Sequence, residues 1–159
     1  MIAPAAEPLN ARLIDSLYTE AMLLADEARA YFEQSGRADR VGLDPLTRVN
    51  FSCESLKVTT RLMHVIAWLL GQRAHAAFGT AAGAPSEMDA PDTGQAQRKL
   101  GNASESDPVL LARLPDDARA LIESSRDLYA RVGRLAGGGA GETGPGPARA
   151  LMSRLERSL

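Results

Sequence analysis

The chain has 159 residues, of which 45% are hydrophobic and 24% charged, values typical of one globular domain. Its formal net charge of -2 argues against a nucleic-acid-binding protein, because such proteins usually carry a basic excess. The single cysteine, Cys53, excludes an intrachain disulfide and fits a reducing cytosol. The N-terminus lacks the basic start and apolar run of a signal peptide, and no apolar stretch approaches the ~20 residues that a membrane span requires. We therefore expect a cytoplasmic protein.

The first predicted helix covers residues 9–34. Apolar and small residues recur at steps of three and four, which is the period of packed helices, as in Ile14, Tyr18, Ala21, Ala25, Ala28 and Phe32. We expect Ser35 and Gly36 to end this helix, because glycine commonly follows a helix C-terminus.

The second predicted helix covers residues 45–78. Asp44 is a favourable N-cap, and Pro45 is tolerated at the first helical position because its missing N–H would have no partner there. Apolar residues surround most of the circumference, as in Leu56, Val58, Leu62, Met63, Val65, Ile66, Leu69 and Leu70. Such a helix needs partners on several sides, so we predict that it is central. The first helix is acidic and the second basic, which favours an antiparallel hairpin of the two.

The remaining chain is predicted to hold one more long helix between two flexible segments. Residues 79–107 are rich in Gly, Ala, Ser, Asp and Pro and read as a flexible loop. The third helix covers residues 115–136, followed by a Gly-rich tether and a short amphipathic tail within 137–159. The sequence therefore predicts an all-α protein: an antiparallel three-helix bundle over residues 1–136, with a flexible loop and a flexible C-terminal tail.

The common catalytic and metal-binding patterns are missing from the sequence. It has no Gly-rich phosphate loop and no zinc-ligand spacing, and its two histidines, His64 and His75, lie three turns apart on one helix. We therefore predict no enzyme, no catalytic residue, no cofactor and no metal. A phosphate-accepting His64 in a signalling bundle stays open as an alternative, although the Lys-Gly pair common beside such histidines is absent.

A polar stripe on the second helix is the most informative pattern. It consists of side chains at steps of three and four: Glu54, Lys57, Arg61, His64, Trp68, Gly71 and His75. A tryptophan among basic residues is typical of a protein interface, so we predict that Lys57, Arg61, His64, Trp68 and His75 contact protein. In the tail, Leu151, Arg154 and Leu155 are predicted as a second contact. Two alternatives stay open: Trp68 folds onto the core and leaves a solvated stripe, or the basic stripe binds DNA.

Several strings along the chain resemble a known family. The most specific is Glu54-Ser55-Leu56-Lys57-Val58-Thr59-Thr60-Arg61-Leu62-Met63, continuing to Trp68-Leu69-Leu70 and to Gln72-Arg73-Ala74. Matching strings in the first and third helices and in the tail include Glu20-Ala21-Met22-Leu23-Leu24, Leu128-Tyr129 and Arg154-Leu155-Glu156. Together they resemble the alphaproteobacterial regulator of CtrA degradation (RcdA) family, in order along all three helices.

The resemblance implies a function that composition alone does not. It implies a homodimeric three-helix bundle that serves as a non-enzymatic adaptor in proteolysis by ClpXP. The protease would be primed by a small response regulator, and the adaptor would help deliver cell-cycle substrates such as CtrA. Further adaptors, including one that binds cyclic di-GMP, would join the complex, and recruitment to a cell pole is a further expectation. No nucleic acid or membrane is expected as a partner.

Overall fold

A computed structural model describes residues 6–78 and 99–138 of the chain. This part contains α-helices and no strand, so the predicted all-α bundle is confirmed. The α-helices are α1 (Ala6–Ala30), α2 (Gly36–Val41), α3 (Pro45–Phe78), α4 (Pro108–Leu111) and α5 (Asp116–Gly138). A π-helical turn, Tyr31–Ser35, joins α1 to α2.

The start of α3 follows directly from its sequence. Asp44 caps the helix, since its Oδ2 atom accepts a hydrogen bond from the Thr47 backbone N–H at 3.1 Å. Hydrogen bonds from Thr47 lower the pKa of the Asp44 carboxyl group. Pro45 occupies the first helical position, and the helix then continues to Phe78, which are the predicted bounds.

The predicted end of the first helix at Ser35 and Gly36 is wrong. The chain remains helical to Val41 through the π-helical turn, in which the Gly36 N–H donates to the Tyr31 carbonyl oxygen. Gly36 is buried, and a Cβ atom there would lie 2.9 Å from that oxygen and 3.2 Å from the Phe51 ring. The glycine is therefore needed for close packing within the π-helical turn and of the start of α2 on α3, rather than for a helix stop.

We expect Gly36→Ala to lower the free energy of unfolding by about 1–3 kcal/mol, because the added methyl group meets a backbone atom that cannot turn aside. Gly133→Ala in α5 is the matched control, since its nearest atom would be Leu100 Cδ2 at an ordinary 3.8 Å. There alanine should stabilise by about 0.5–1 kcal/mol through helix propensity. Chemical denaturation of both variants tests the pair, and equal shifts would contradict this role of Gly36.

Three long helices enclose the core. The Asp15–Arg73 ion pair at 3.0 Å and the Tyr31–Phe51 ring contact, with centroids 6.3 Å apart, show that α1 runs antiparallel to α3. An ion pair between Glu20 and Arg131 joins α1 to α5. The core is filled by buried apolar side chains from all three helices, among them Ile14, Leu17, Ala21, Leu24, Ala28, Phe51, Val58, Leu62, Val65, Trp68, Leu69, Leu121, Ile122, Leu128 and Val132.

Candidate functional site

A buried polar cluster lies between α3, α5 and residues 99–107, which we call the crossover segment. Glu54 and Arg61 are only 1% and 2% exposed. Arg61 Nη2 donates to the Ser104 carbonyl oxygen at 3.1 Å and to Ser106 Oγ at 3.0 Å, and Nη1 donates to Ser125 Oγ at 3.3 Å. Ser106 Oγ in turn donates to Glu54 Oε2 at 2.7 Å. Both buried charges of α3 are therefore satisfied largely by the crossover segment.

The crossover segment is attached at two further points. Lys57 Nζ lies 2.9 Å from Glu54 Oε1 and donates to the Glu105 carbonyl oxygen at 2.8 Å. Near the other end of the segment, the Tyr129 hydroxyl donates to the Gly101 carbonyl oxygen at 2.5 Å. The predicted flexible loop, residues 79–107, therefore needs a correction over its last nine residues, because the buried charges of α3 require hydrogen-bonding partners there.

The electrostatics of the cluster follow from its burial. Burial lowers the pKa of the Arg61 guanidinium, while the negative charge of Glu54 acts in the opposite direction. An arginine keeps its proton even so. The cluster is thus a buried cation and a buried carboxylate linked through one serine hydroxyl, with Lys57 at its edge.

His64 lies under the crossover segment. A Cβ atom on Gly101 would be 2.8 Å from the imidazole ring, so only a glycine lets the backbone pass this close. The Nδ1 atom is buried and has no hydrogen-bond partner among the described residues. A phosphate-accepting histidine must be reached by a partner domain, and this packing does not favour that alternative for His64.

The structure divides the predicted contact stripe into buried and accessible residues. Trp68 is 7% exposed and belongs to the hydrophobic core, and Arg61 is buried in the polar cluster. The core position of Trp68 is thus the alternative that the structure shows, because α5 and the crossover segment cover this side of α3. Lys57 and His64 are half-buried and His75 is exposed, so protein contact by these three stays a prediction. A DNA-binding stripe is not favoured either, since the Arg61 charge faces inward.

The second predicted contact lies outside the described residues. Leu151, Arg154 and Leu155 follow the last described residue, 138. Their role stays a prediction.

The opposite side of α3 carries an exposed apolar surface that the sequence analysis did not single out. Its members recur at alternating steps of three and four along the helix, and we call them the α3 seam: Leu46, Val49, Cys53, Leu56, Thr60, Met63, Ala67, Leu70, Ala74 and Ala77. All ten are exposed, and the five largest range from 44% for Leu70 to 67% for Leu56. None is charged. The sequence contained an indication of this surface, because apolar residues surround most of the circumference of the helix.

A shallow groove lies between α1 and α5. It is open, with a volume of about 570 Å³, and is lined by Ser16, Thr19, Glu20, Leu23, Leu24, Glu27 and Ser124. No group of three His, Cys, Asp or Glu side chains among residues 6–78 and 99–138 is placed to hold a metal ion. In those same ranges, no helix is long and apolar enough to cross a membrane.

Comparison with known proteins shows what the chain is similar to. Residues 5–159 match a family described as a protein of unknown function (DUF1465). The crystal structure of RcdA from Caulobacter crescentus CB15 matches with 32% identical residues and a TM-score of 0.57, covering 79% of this chain and 88% of that chain. The chain belongs to the RcdA family. No curated protein sequence matches it.

Membership of the RcdA family confirms the resemblance read from the α3 string. That string, Glu54 to Met63, contains members of both faces just described. Glu54, Lys57 and Arg61 build the polar cluster, whereas Leu56 and Met63 belong to the α3 seam. The string that most specifically indicates the RcdA family thus lies on α3. This helix contributes both to the core and to an exposed surface.

Proposed function

We propose that this chain is a non-enzymatic adaptor in regulated proteolysis that helps deliver cell-cycle substrates to ClpXP. The observation that carries the proposal is the match to RcdA, with 32% identity over 79% of the chain. In the proposed mechanism the chain binds the primed protease and a substrate at once. It raises the effective concentration of substrate at the protease without any bond being made or broken.

The chemistry of the described side chains supports a binding role. Catalysis by acid and base needs groups that can reach a substrate and that have a suitable pKa. Here Glu54, Lys57 and Arg61 are occupied with one another and with the crossover segment. The open groove between α1 and α5 is lined by carboxylates, hydroxyls and two leucines, and none of its lining residues is a histidine that could activate a serine nucleophile.

The proposed partners are proteins. Two copies of the chain act together in the cytoplasm, with the response-regulator primer, ClpXP and further adaptors, at a cell pole when the complex is recruited there. Lys57, His64 and His75 at the edge of α3 form one proposed contact. Leu151, Arg154 and Leu155 form a second contact, which the Gly-rich residues 137–147 join to the bundle.

A reconstituted degradation assay tests the proposal. It combines ClpXP, the primer, and a CtrA-type substrate, with and without the chain. We expect faster substrate loss when the chain is present. Changing Leu151, Arg154 and Leu155 together to alanine should reduce that gain by at least about tenfold, because one of two linked contacts is lost.

Ser153→Ala is the matched control, since it changes the same segment but none of the three proposed contacts. It should deliver substrate at the rate of the unchanged chain. The adaptor proposal would be contradicted if an active protease degraded the substrate at the same rate with and without the folded chain.

A further inference from the structure

We infer that the α3 seam is the docking surface for α3 of a second copy, with the two helices antiparallel and overlapping along their full length. This inference rests on the proposed function only for the statement that two copies work together. The surface and the register follow from the residues of α3 itself.

The seam has the period of a helix pair. Steps of three and four residues average 3.5, which keeps one stripe of a supercoiled helix facing its partner. From Leu46 to Ala77 the seam is about 47 Å long at ~1.5 Å per residue. The buried side of α3 already packs on α1 and α5, as Val58 and Val65 are fully buried. A second, mainly apolar stripe of this length that contains no charged residue indicates an interaction surface.

Residue sizes along the seam favour an antiparallel copy. The N-terminal half carries the bulky Leu46, Val49 and Leu56, and the C-terminal half carries alanines at the corresponding distances from the other end. In an antiparallel pair with full overlap, Pro45 of one copy lies opposite Phe78 of the other. The numbers of any two residues that face each other therefore add up to 123. Every facing pair then joins a larger and a smaller side chain: Leu46 faces Ala77, Val49 faces Ala74, Leu56 faces Ala67, Met63 faces Thr60 and Leu70 faces Cys53 of the other copy.

A parallel pair would place each residue opposite itself. Ala67, Ala74 and Ala77 would then face alanines and leave gaps in the C-terminal half of the seam. The antiparallel arrangement also brings opposite helix dipoles side by side, and it gives the twofold symmetry that most homodimers have.

Charges beside the seam are already satisfied within the chain. Lys57 is held by Glu54 at 2.9 Å, Arg73 by Asp15 at 3.0 Å, and Arg48 by the Leu43 carbonyl oxygen at 3.1 Å. A copy therefore meets uncharged side chains bordered by cations that already have partners within their own chain. The chain's own residues 149–159 fit less well, because three arginines would approach this basic border and eleven residues cannot cover the seam.

The register is tested with the natural cysteine. Cys53 and residue 70 sum to 123, so they face each other across the pair, whereas within one chain they lie about 25 Å apart. We expect Leu70→Cys in the full chain to form a covalent dimer with a short thiol crosslinker. The unchanged chain and Leu70→Cys combined with Cys53→Ala should not form one. Met63→Cys tests the register shifted by one heptad, and efficient crosslinking there instead of at residue 70 would overturn the full overlap.

The surface is tested with a matched pair of lysine substitutions. Leu56 in the seam and Leu23 on α1 are both 67% exposed. Leu56→Lys places a charge on the seam and should convert the dimer to a monomer, with at least about a hundredfold weaker self-association. Leu23→Lys should leave the dimer unchanged. Sedimentation equilibrium gives both values, and circular dichroism shows that each variant is folded.

These outcomes are separable from protease delivery, because neither experiment contains ClpXP. An unchanged chain that is monomeric, or a dimer that Leu56→Lys leaves intact, would overturn the inference while the adaptor proposal stands. The inference would also be overturned if the chain were a monomer and its Cys53 reacted with a thiol reagent only after Leu155→Lys. That result would show that the chain's own C-terminal segment covers the seam. A dimer with the expected crosslink that fails to deliver substrate would overturn only the proposed function.

Discussion

Replacing Trp68 by alanine is expected to lower the free energy of unfolding by about 3–5 kcal/mol. The side chain is 7% exposed and is part of the hydrophobic core together with Leu69 and Leu128, which are fully buried. Its removal takes away a large apolar surface and leaves a cavity that the neighbouring helices fill only in part. Chemical denaturation followed by circular dichroism measures the loss.

Leu23→Ala is a suitable control, because an exposed leucine far from the core should change stability by less than about 0.5 kcal/mol. The opposite pattern would support the interface interpretation of Trp68. In that pattern Trp68→Ala keeps its stability and loses only partner binding, and the packing described here would then be incorrect.

Replacing Arg61 by alanine is expected to lower the free energy of unfolding by about 3 kcal/mol. The substitution removes one member of a buried polar cluster and leaves its partners buried without it. The Ser104 carbonyl oxygen and Ser125 Oγ would lose their donor, and the buried Glu54 carboxylate would lose a nearby positive charge. We also expect faster hydrogen exchange of the backbone amides in residues 99–107, since Arg61 holds that segment to α3. Denaturation and hydrogen exchange measure the two effects.

Two further variants show whether the loss of stability comes from the buried cluster around Arg61. Arg61→Lys keeps the charge, but a single ammonium group cannot serve three separated acceptors, so most of the loss should remain. Arg131→Ala removes the ion pair of α5 with Glu20, in which Arg131 keeps 34% of its side-chain surface exposed, and should cost at most about 1 kcal/mol. Equal losses for Arg61→Ala and Arg131→Ala would mean that the buried cluster contributes no more than a surface pair.

The sequence predicted those features that depend on local chemistry. The bounds of α3 follow from an N-cap and a proline at one end and from the absence of a strong helix breaker until residue 79. The continuation of the first helix past Gly36 could not be predicted in this way. The need for a glycine there comes from the Tyr31 carbonyl oxygen of the π-helical turn and from the Phe51 ring on another helix, whereas local rules interpret the same residue as a helix stop.

The buried polar stripe was hard to predict for a related reason. Its partners Ser104 and Ser106 follow Arg61 by 43 and 45 residues, and nothing in the local pattern shows that they cover α3. A polar stripe and an apolar stripe on the same helix suggest a solvated side and a core side. In this chain the crossover segment covers the part of the polar stripe from Glu54 to His64, and part of the apolar circumference is left open as the α3 seam.

A titration of the chain in the reconstituted degradation assay tests the central claim most directly. An adaptor that joins two partners by binding alone should first accelerate substrate loss as its concentration rises. At excess it should slow the reaction again, because separate copies then occupy protease and substrate without linking them. Delivery by tethering predicts this rise and fall, with the maximum moving to higher adaptor concentration as protease and substrate are increased. A rate that does not change at any concentration of folded chain, or that rises to a plateau and never falls, would contradict delivery by tethering.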